Sequence, residues 1–142
     1  MIITTARKPS PKTRIFCKHL SRFTGWEYVT RGKTSLSAFA CEPFLLVGES
    51  RGNPGSLTFF SNGECVFYMR VNVSLDKDSD FSEAPVIEGN TTLAIALGKA
   101  TGLKMGESKE RVIRVNDRIE FIDRGMPCII LKVLETRGEG IV

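Results

Sequence analysis

Asn62-Gly63 stands between two runs rich in β-formers, SLTFFS (56–61) and ECVFYMRVNVSL (64–75), and no other feature narrows the fold of this chain as much. A two-residue type I′ loop needs positive φ at both positions, and Asn-Gly supplies that at the least steric cost. The dipeptide therefore predicts an antiparallel hairpin whose two strands fix each other's register. Just upstream, PFLLVGES (43–50) is a continuous apolar run of the kind found in a strand covered on both faces. RGNPG separates it from the hairpin, and Pro54-Gly55 suit positions i+1 and i+2 of a type II turn after Asn53.

Helical signals flank these strands. Ile2 to Thr5 is short and β-branched, and after it Ser10-Pro11 offers an N-cap followed by proline at the first helical position, where a missing N–H costs nothing. The helix is expected to run to about Thr24 and stop at Gly25. Within it Phe16, Leu20 and Phe23 fall within about 60° of one another, while Arg14, Lys18 and Arg22 form an i, i+4, i+8 stripe roughly opposite. WEYVT (26–30) reads as a second strand, RGK as a loop, and TSLSAFAC (34–41) as a short helix capped by Thr34 or Ser35. The first half is thus β-α-β-α-β-β-β.

Residues 76–84, DKDSDFSEA, are acidic and poor in large apolar groups, so they read as a linker or exposed loop. PVI then suggests a short strand, and Asn90 or Thr91 can cap a helix that buries Leu93, Ala94, Leu97 and Ala100 and ends near Gly102. KMGESK reads as a loop. RVIRV, RIEFID and PCIILKVLE alternate well enough for a three-stranded meander with turns near Asn116-Asp117 and Arg124-Gly125. The expected architecture is an α/β fold of mixed sheets with helices packed on them, in two similar halves. Residues 1–75 and 85–142 form those halves, joined by 76–84, within one domain spanning 1–142.

With 142 residues, 42% hydrophobic and 25% charged, the chain can bury a conventional core without a staple. The cysteines (Cys17, Cys41, Cys65, Cys128) lie far apart with no C-x-x-C pair, which fits reduced thiols in a core better than a disulfide frame or a zinc ribbon. No stretch approaches the roughly eighteen apolar residues of a membrane span. Arg7 and Lys8 stand where a signal peptide would be apolar, so a cytoplasmic protein with no membrane partner is expected.

Enzyme chemistry finds little support. The only histidine, His19, lies in the first helix among basic residues, with no aspartate near it in sequence to orient it, and reads as a surface or boundary residue. DKDSD lacks the glycine and the glutamate that an EF-hand loop needs at its sixth and twelfth positions. GESRGNPG leads into a strand, whereas a phosphate loop must lead into a helix. No catalysis, metal, cofactor or small-molecule substrate is expected.

What remains is charge. Residues 1–33 hold eight Lys/Arg (Arg7, Lys8, Lys12, Arg14, Lys18, Arg22, Arg31, Lys33) against the single acid Glu27, a local +7 in a chain whose total is +4. TTARKPSPKTR (4–14) places four of those cations at a strand-to-helix junction, where free helix N–H groups would add their own positive end. Basic loops beside a basic helix stripe neutralise phosphates and release counterions, so the expected partner is a nucleic acid. Composition does not choose RNA over DNA.

The same residues carry a family resemblance. IITTARKPSPKTRIFCKHL, YVTRGKTSL and PFLLVGESRGNPGSLTF resemble successive blocks of the Brix domain family, over roughly residues 2–60. Members of that family open on a strand, continue with T-T-S-R-x-P-S and a basic helix, and reach a glycine-proline turn after an apolar strand. The resemblance, closest to the short archaeal Imp4-like form, implies two α/β halves like the anticodon-binding domains of class II aminoacyl-tRNA synthetases. It also implies a ribosome biogenesis factor that binds rRNA or precursor rRNA, with ribosomal or assembly proteins as further partners. The family's basic motif positions fall on Arg7, Lys8, Ser10, Arg14, Arg31, Gly32 and Arg51, and with Lys18, Arg22 and Lys33 these basic and hydroxyl residues make the candidate RNA-binding set. Arg111, Arg114 and Arg118 could extend that surface. Two departures stand out: Ala6 replaces the usual serine, and SNGECVFYMRV replaces the usual L-P-x-G-P-T. The rival reading is a protein-interaction module whose basic face docks on an acidic assembly partner.

Overall fold

A computed structural model describes residues 1–107 and 110–138; Ser108 and Lys109, which end the KMGESK loop, and residues 139–142 lie outside the described residues. The elements are β1 (Ile2–Thr5), α1 (Pro11–Thr24), β2 (Glu27–Tyr28), a 3₁₀ turn (Leu36–Phe39), β3 (Phe44–Ser50), β4 (Asn53–Ser61), β5 (Glu64–Leu75), β6 (Val86–Glu88), α2 (Thr92–Thr101), β7 (Arg111–Val115), β8 (Arg118–Asp123) and β9 (Met126–Gly138). The fold is mixed α/β. Among the described residues nine strands join in one mixed sheet, in the order β2-β1-β3-β4-β5-β9-β8-β7-β6.

The seam between β5 and β9 explains the continuity. Phe67 to Leu75 pair antiparallel with Gly138 to Ile129, because both strands outrun the hairpins they belong to and their free edges meet. Outward from that seam the connections match on either side. β5-β4-β3 and β9-β8-β7 are antiparallel, β3–β1 and β7–β6 are parallel, and a helix makes each crossover.

Each helix is bounded as its caps dictate. The Ser10 and Thr91 hydroxyls accept the N–H groups of Thr13 and Ala94, and Gly25 and Gly102 end α1 and α2 in the left-handed region. Gly25, at φ 81°, has a second reason to be glycine: a Cβ there would lie 2.5 Å from the Phe81 ring. Phe16, Cys17, Leu20 and Phe23 of α1 and Ala94 and Leu97 of α2 share one core with Leu45, Val47, Leu57, Phe59, Met69, Ile113 and Leu131, so both helices lie on the same face. Each fully buried Val, Leu, Ile, Met or Phe side chain among them stabilises by roughly 1.5–3 kcal/mol. Phe23 meets Phe121 edge-on, ring centroids 5.3 Å apart, which carries α1 across onto β8.

Several local expectations change. The β3–β4 loop is Arg51-Gly52, with φ 53° and 78° and Ser50 paired to Asn53, while Pro54 and Gly55 lie inside β4. The register shifts between Gly48 and Glu49, and a Cβ on Gly55 would lie 2.9 Å from that of Ser50, so Pro-Gly marks a bulge and not the turn. The second strand shrinks to Glu27–Tyr28, and TSLSAFAC makes one 3₁₀ turn because Ser35 provides no side-chain cap. Cys17 and Cys128 are buried, but Cys41 and Cys65 are exposed, so only two of the four free thiols are core groups. Burial raises the Cys17 thiol to a pKa of about 12.

Candidate nucleic-acid interface

Parallel pairing of β2, β1 and β3 sends the C-terminal ends of all three strands to one margin of the sheet. Three loops leave from that margin: 6–10 after β1, 29–35 after β2, and Arg51-Gly52 after β3. The N-terminus of α1 starts there too. Arg7, Lys8, Lys33 and Arg51 are exposed and Arg31 is partly so, and the margin collects them from three stretches of sequence that no local pattern links.

Ser10 holds the margin together. Its hydroxyl accepts the Thr13 N–H at 3.2 Å and donates to the Gly52 carbonyl at 2.6 Å, while its own N–H donates to Glu49 Oε1 at 2.6 Å. The first loop is thereby tied to the β3–β4 turn on one side and to the helix on the other. The Ser10 N–H, followed by the Thr13 hydroxyl, holds the Glu49 carboxyl below the usual carboxylate range. The second loop is fixed by Val29 N–H to Ile3 carbonyl at 2.8 Å and Thr4 hydroxyl to Val29 carbonyl at 2.9 Å. Arg31 Nε donates to the Thr34 carbonyl at 2.9 Å, so this side chain also closes its own turn.

The helix N-terminus contributes less than its sequence suggests. Pro11 has no N–H, the Thr13 N–H is held by Ser10, and the Arg14 N–H donates to the Ser10 carbonyl at 3.0 Å. A bound anion would therefore meet side chains more than backbone. Ser10 is likewise spent on structure, its hydroxyl proton already donated, and it acts here as a positioning residue.

The helical stripe divides. Arg14 and Lys18 are exposed, with Arg14 in the first turn beside the margin. Arg22, two turns further on, donates from Nε and Nη2 to the two carboxylate oxygens of Asp78, at 3.0 and 2.5 Å, and His19 Nδ1 lies 3.8 Å from the same carboxylate. The bond to Arg22 is the main cause that lowers the Asp78 pKa, with His19 contributing, and the same bond raises that of Arg22. The acidic stretch 76–84 thus straps the far end of α1, and sequence gave no sign that Asp78 would reach back to His19 and Arg22.

Arg111 is not a surface residue. It is 1% exposed, and Nη1 donates to the carbonyls of Arg22 (3.2 Å) and Phe23 (2.5 Å), two of the unsatisfied groups at the C-terminus of α1. Nη2 donates to the Asp80 carbonyl, Nε lies 3.6 Å from Asp123, and the guanidinium sits 4.9 Å from the centroid of the Phe23 ring. It fastens helix, strap and β7 together. Arg114 and Arg118 are exposed, 3.6 Å from Glu88 and Glu120 respectively.

No family model matches the chain. Archaeal proteins described as probable Brix domain-containing ribosomal biogenesis proteins do match. That of Archaeoglobus fulgidus is 38% identical over 138 residues, 88% of this chain and 90% of that protein. That of Methanosarcina mazei is 36% identical over 124 residues, 81% of this chain and 78% of that protein. The chain belongs to the Brix domain family. The solved structure of Mil, an archaeal Imp4-like protein, superposes with a TM-score of 0.84 at 31% identity, covering 97% of this chain and 99% of that one. A probable ribosomal biogenesis protein from Aeropyrum pernix shares the fold at TM-score 0.75 and 24% identity, with 93% of each chain covered. In this Brix protein, as in any, the fold alone does not name a ligand; the basic margin is the feature from which function is argued.

Proposed function

We propose that this Brix-family protein is a ribosome biogenesis factor that grips rRNA or precursor rRNA by its phosphate backbone and assists processing or subunit assembly. The convergence of Arg7, Lys8, Arg31, Lys33 and Arg51 on the margin where β1, β2 and β3 end, beside Arg14, carries this reading. Relatives described as ribosomal biogenesis proteins supply its cellular context.

The chemistry is neutralisation. Exposed guanidinium and ammonium groups replace counterions on the phosphates, which makes binding strong at low salt and tolerant of sequence. Arginine adds planar, forked donation to phosphate oxygens, and lysine a point charge. The margin is preset because Ser10 and Glu49 fix the first loop and Thr4 fixes the second, so little ordering entropy is lost on binding. No bond is made or broken in this account. Arg22 is held by Asp78 and joins only when the strap releases it.

Ultraviolet cross-linking of the purified protein to a structured rRNA fragment, with peptide mapping, tests the reading. Cross-links on peptides holding Arg7-Lys8, Arg31-Lys33 and Arg51 are expected. Cross-links confined to α2 and the β6–β7 end would overturn it, and displacement of the RNA only by an acidic protein partner would favour a protein-docking margin.

A further inference from the structure

Both helices cover one face of the sheet, and the registers define what the other face carries over β5, β9 and β8. Asn72 pairs with Lys132 and Lys132 with Arg118, so these three exposed side chains form one cross-strand row. Directly opposed residues on neighbouring strands have Cβ atoms about 4.5–5.5 Å apart, and like charges so placed repel. Arg118 Nε has Glu120 at 3.6 Å, whereas Lys132 has no ion pair among the described residues. Along the seam on the same face, Arg70 and Arg137 share the single carboxylate of Glu135, at 3.5 and 2.8 Å. Arg137 also lies over the Tyr68 ring, 5.9 Å from its centroid, and Tyr68 pairs with Arg137 across the seam. Four cations thus stand against two carboxylates on this strip.

A lysine and an arginine held side by side, with an arginine-capped tyrosine two rows away, are complementary to a chain of phosphates and bases. Bases stack on aromatic and guanidinium planes while cations track the backbone. An acidic peptide fits less well. At the Asn72–Lys132–Arg118 row β9 is paired on both sides, so a peptide laid there finds no strand edge to extend and no groove between helices.

We infer that this open sheet face is a second RNA-binding surface, taking single-stranded RNA with Lys132 and Arg118 on phosphates and the Tyr68–Arg137 stack under a base. It rests on the reading that the protein binds RNA and extends it from the margin to the reverse of the sheet.

The test uses a labelled single-stranded oligoribonucleotide with the full chain, across a salt series. Three variants are compared with wild type: Arg118→Ala/Lys132→Ala, Tyr68→Ala, and Arg7→Ala/Lys8→Ala/Arg14→Ala on the margin. The face pair should lower the salt slope of log K by about 1.4, at roughly 0.7 for each phosphate of a single strand, and Tyr68→Ala should weaken binding with the slope unchanged. Melting temperature should not fall for the face pair, since a repulsion is removed; Lys132→Gln repeats the test should the double variant misfold. If only the margin variant weakens, the face is overturned and the margin stands. If only the face variants weaken, the face stands and the margin falls. Loss of polyglutamate binding in the face pair with RNA binding unchanged, or no RNA binding by wild type, overturns the inference.

Discussion

The Ser10 hydroxyl donates to the Gly52 carbonyl at 2.6 Å across forty-two residues of sequence, and the same oxygen caps α1 through the Thr13 N–H. One side chain therefore sets both the start of the helix and its distance from the β3–β4 turn. Ser10→Ala should cost about 1 kcal/mol from the lost cap, with some further loss from the severed tie. It should also weaken RNA binding although no charge is removed. Thermal unfolding and anisotropy on the same preparation check the pair of effects; unchanged binding would mean that the loop needs no tether.

Glu49 accepts the Ser10 N–H, and its folded pKa lies below the unfolded value. A carboxylate depressed in this way stabilises the fold above its unfolded pKa and loses that contribution as pH falls through the folded one. The melting-temperature difference between wild type and Glu49→Gln should therefore be largest at neutral pH and shrink towards zero below about pH 4. At neutral pH, Glu49→Gln should bind RNA more tightly, since a negative charge leaves the basic margin. Parallel melting curves across pH, with RNA titrations at pH 7, decide this.

Arg111→Ala should destabilise far more than Arg118→Ala. Removing the buried guanidinium strands Asp123 and the carbonyls of Arg22, Phe23 and Asp80, and breaking a buried pair from one side costs about 3–5 kcal/mol. The exposed Arg118 should change stability by less than about 1 kcal/mol. Urea denaturation of both variants separates a fastening residue from a surface one.

Asp78→Ala releases Arg22 from the strap. The pair is about half exposed, so stability should fall by no more than about 1 kcal/mol. RNA affinity should rise and the salt slope steepen by about 0.7–0.9, one more phosphate neutralised. A fall in affinity would show that the strap orders the helix for binding.

How much of this was legible in the sequence depended on whether a signal was local. Asn62-Gly63, Ser10-Pro11, Gly25, Thr91 and Gly102 each act locally, by backbone conformation or by a side-chain cap within three residues, and all stand where the sequence puts them. Pro54-Gly55 misled because glycine serves a bulge as readily as a turn, while Arg51, a non-glycine at φ 53°, gives no local sign of one. The basic residues could be counted, but their meeting at one margin needs the parallel register of β1 with β2 and β3, a long-range property. Asp78 reaches Arg22 across fifty-six residues, and Arg111 in RVIRV looks in sequence like any solvated strand arginine. Both are fixed by tertiary packing that periodicity does not encode.

The most direct measurement is the salt dependence of rRNA-fragment binding for wild type and the folded Arg7→Ala/Lys8→Ala/Arg14→Ala variant, beside duplex DNA of equal length. Wild type should prefer RNA, and the variant should bind more weakly with a salt slope smaller by about two to three units. A variant that binds RNA as tightly as wild type, with the same slope, would contradict a phosphate grip at this margin.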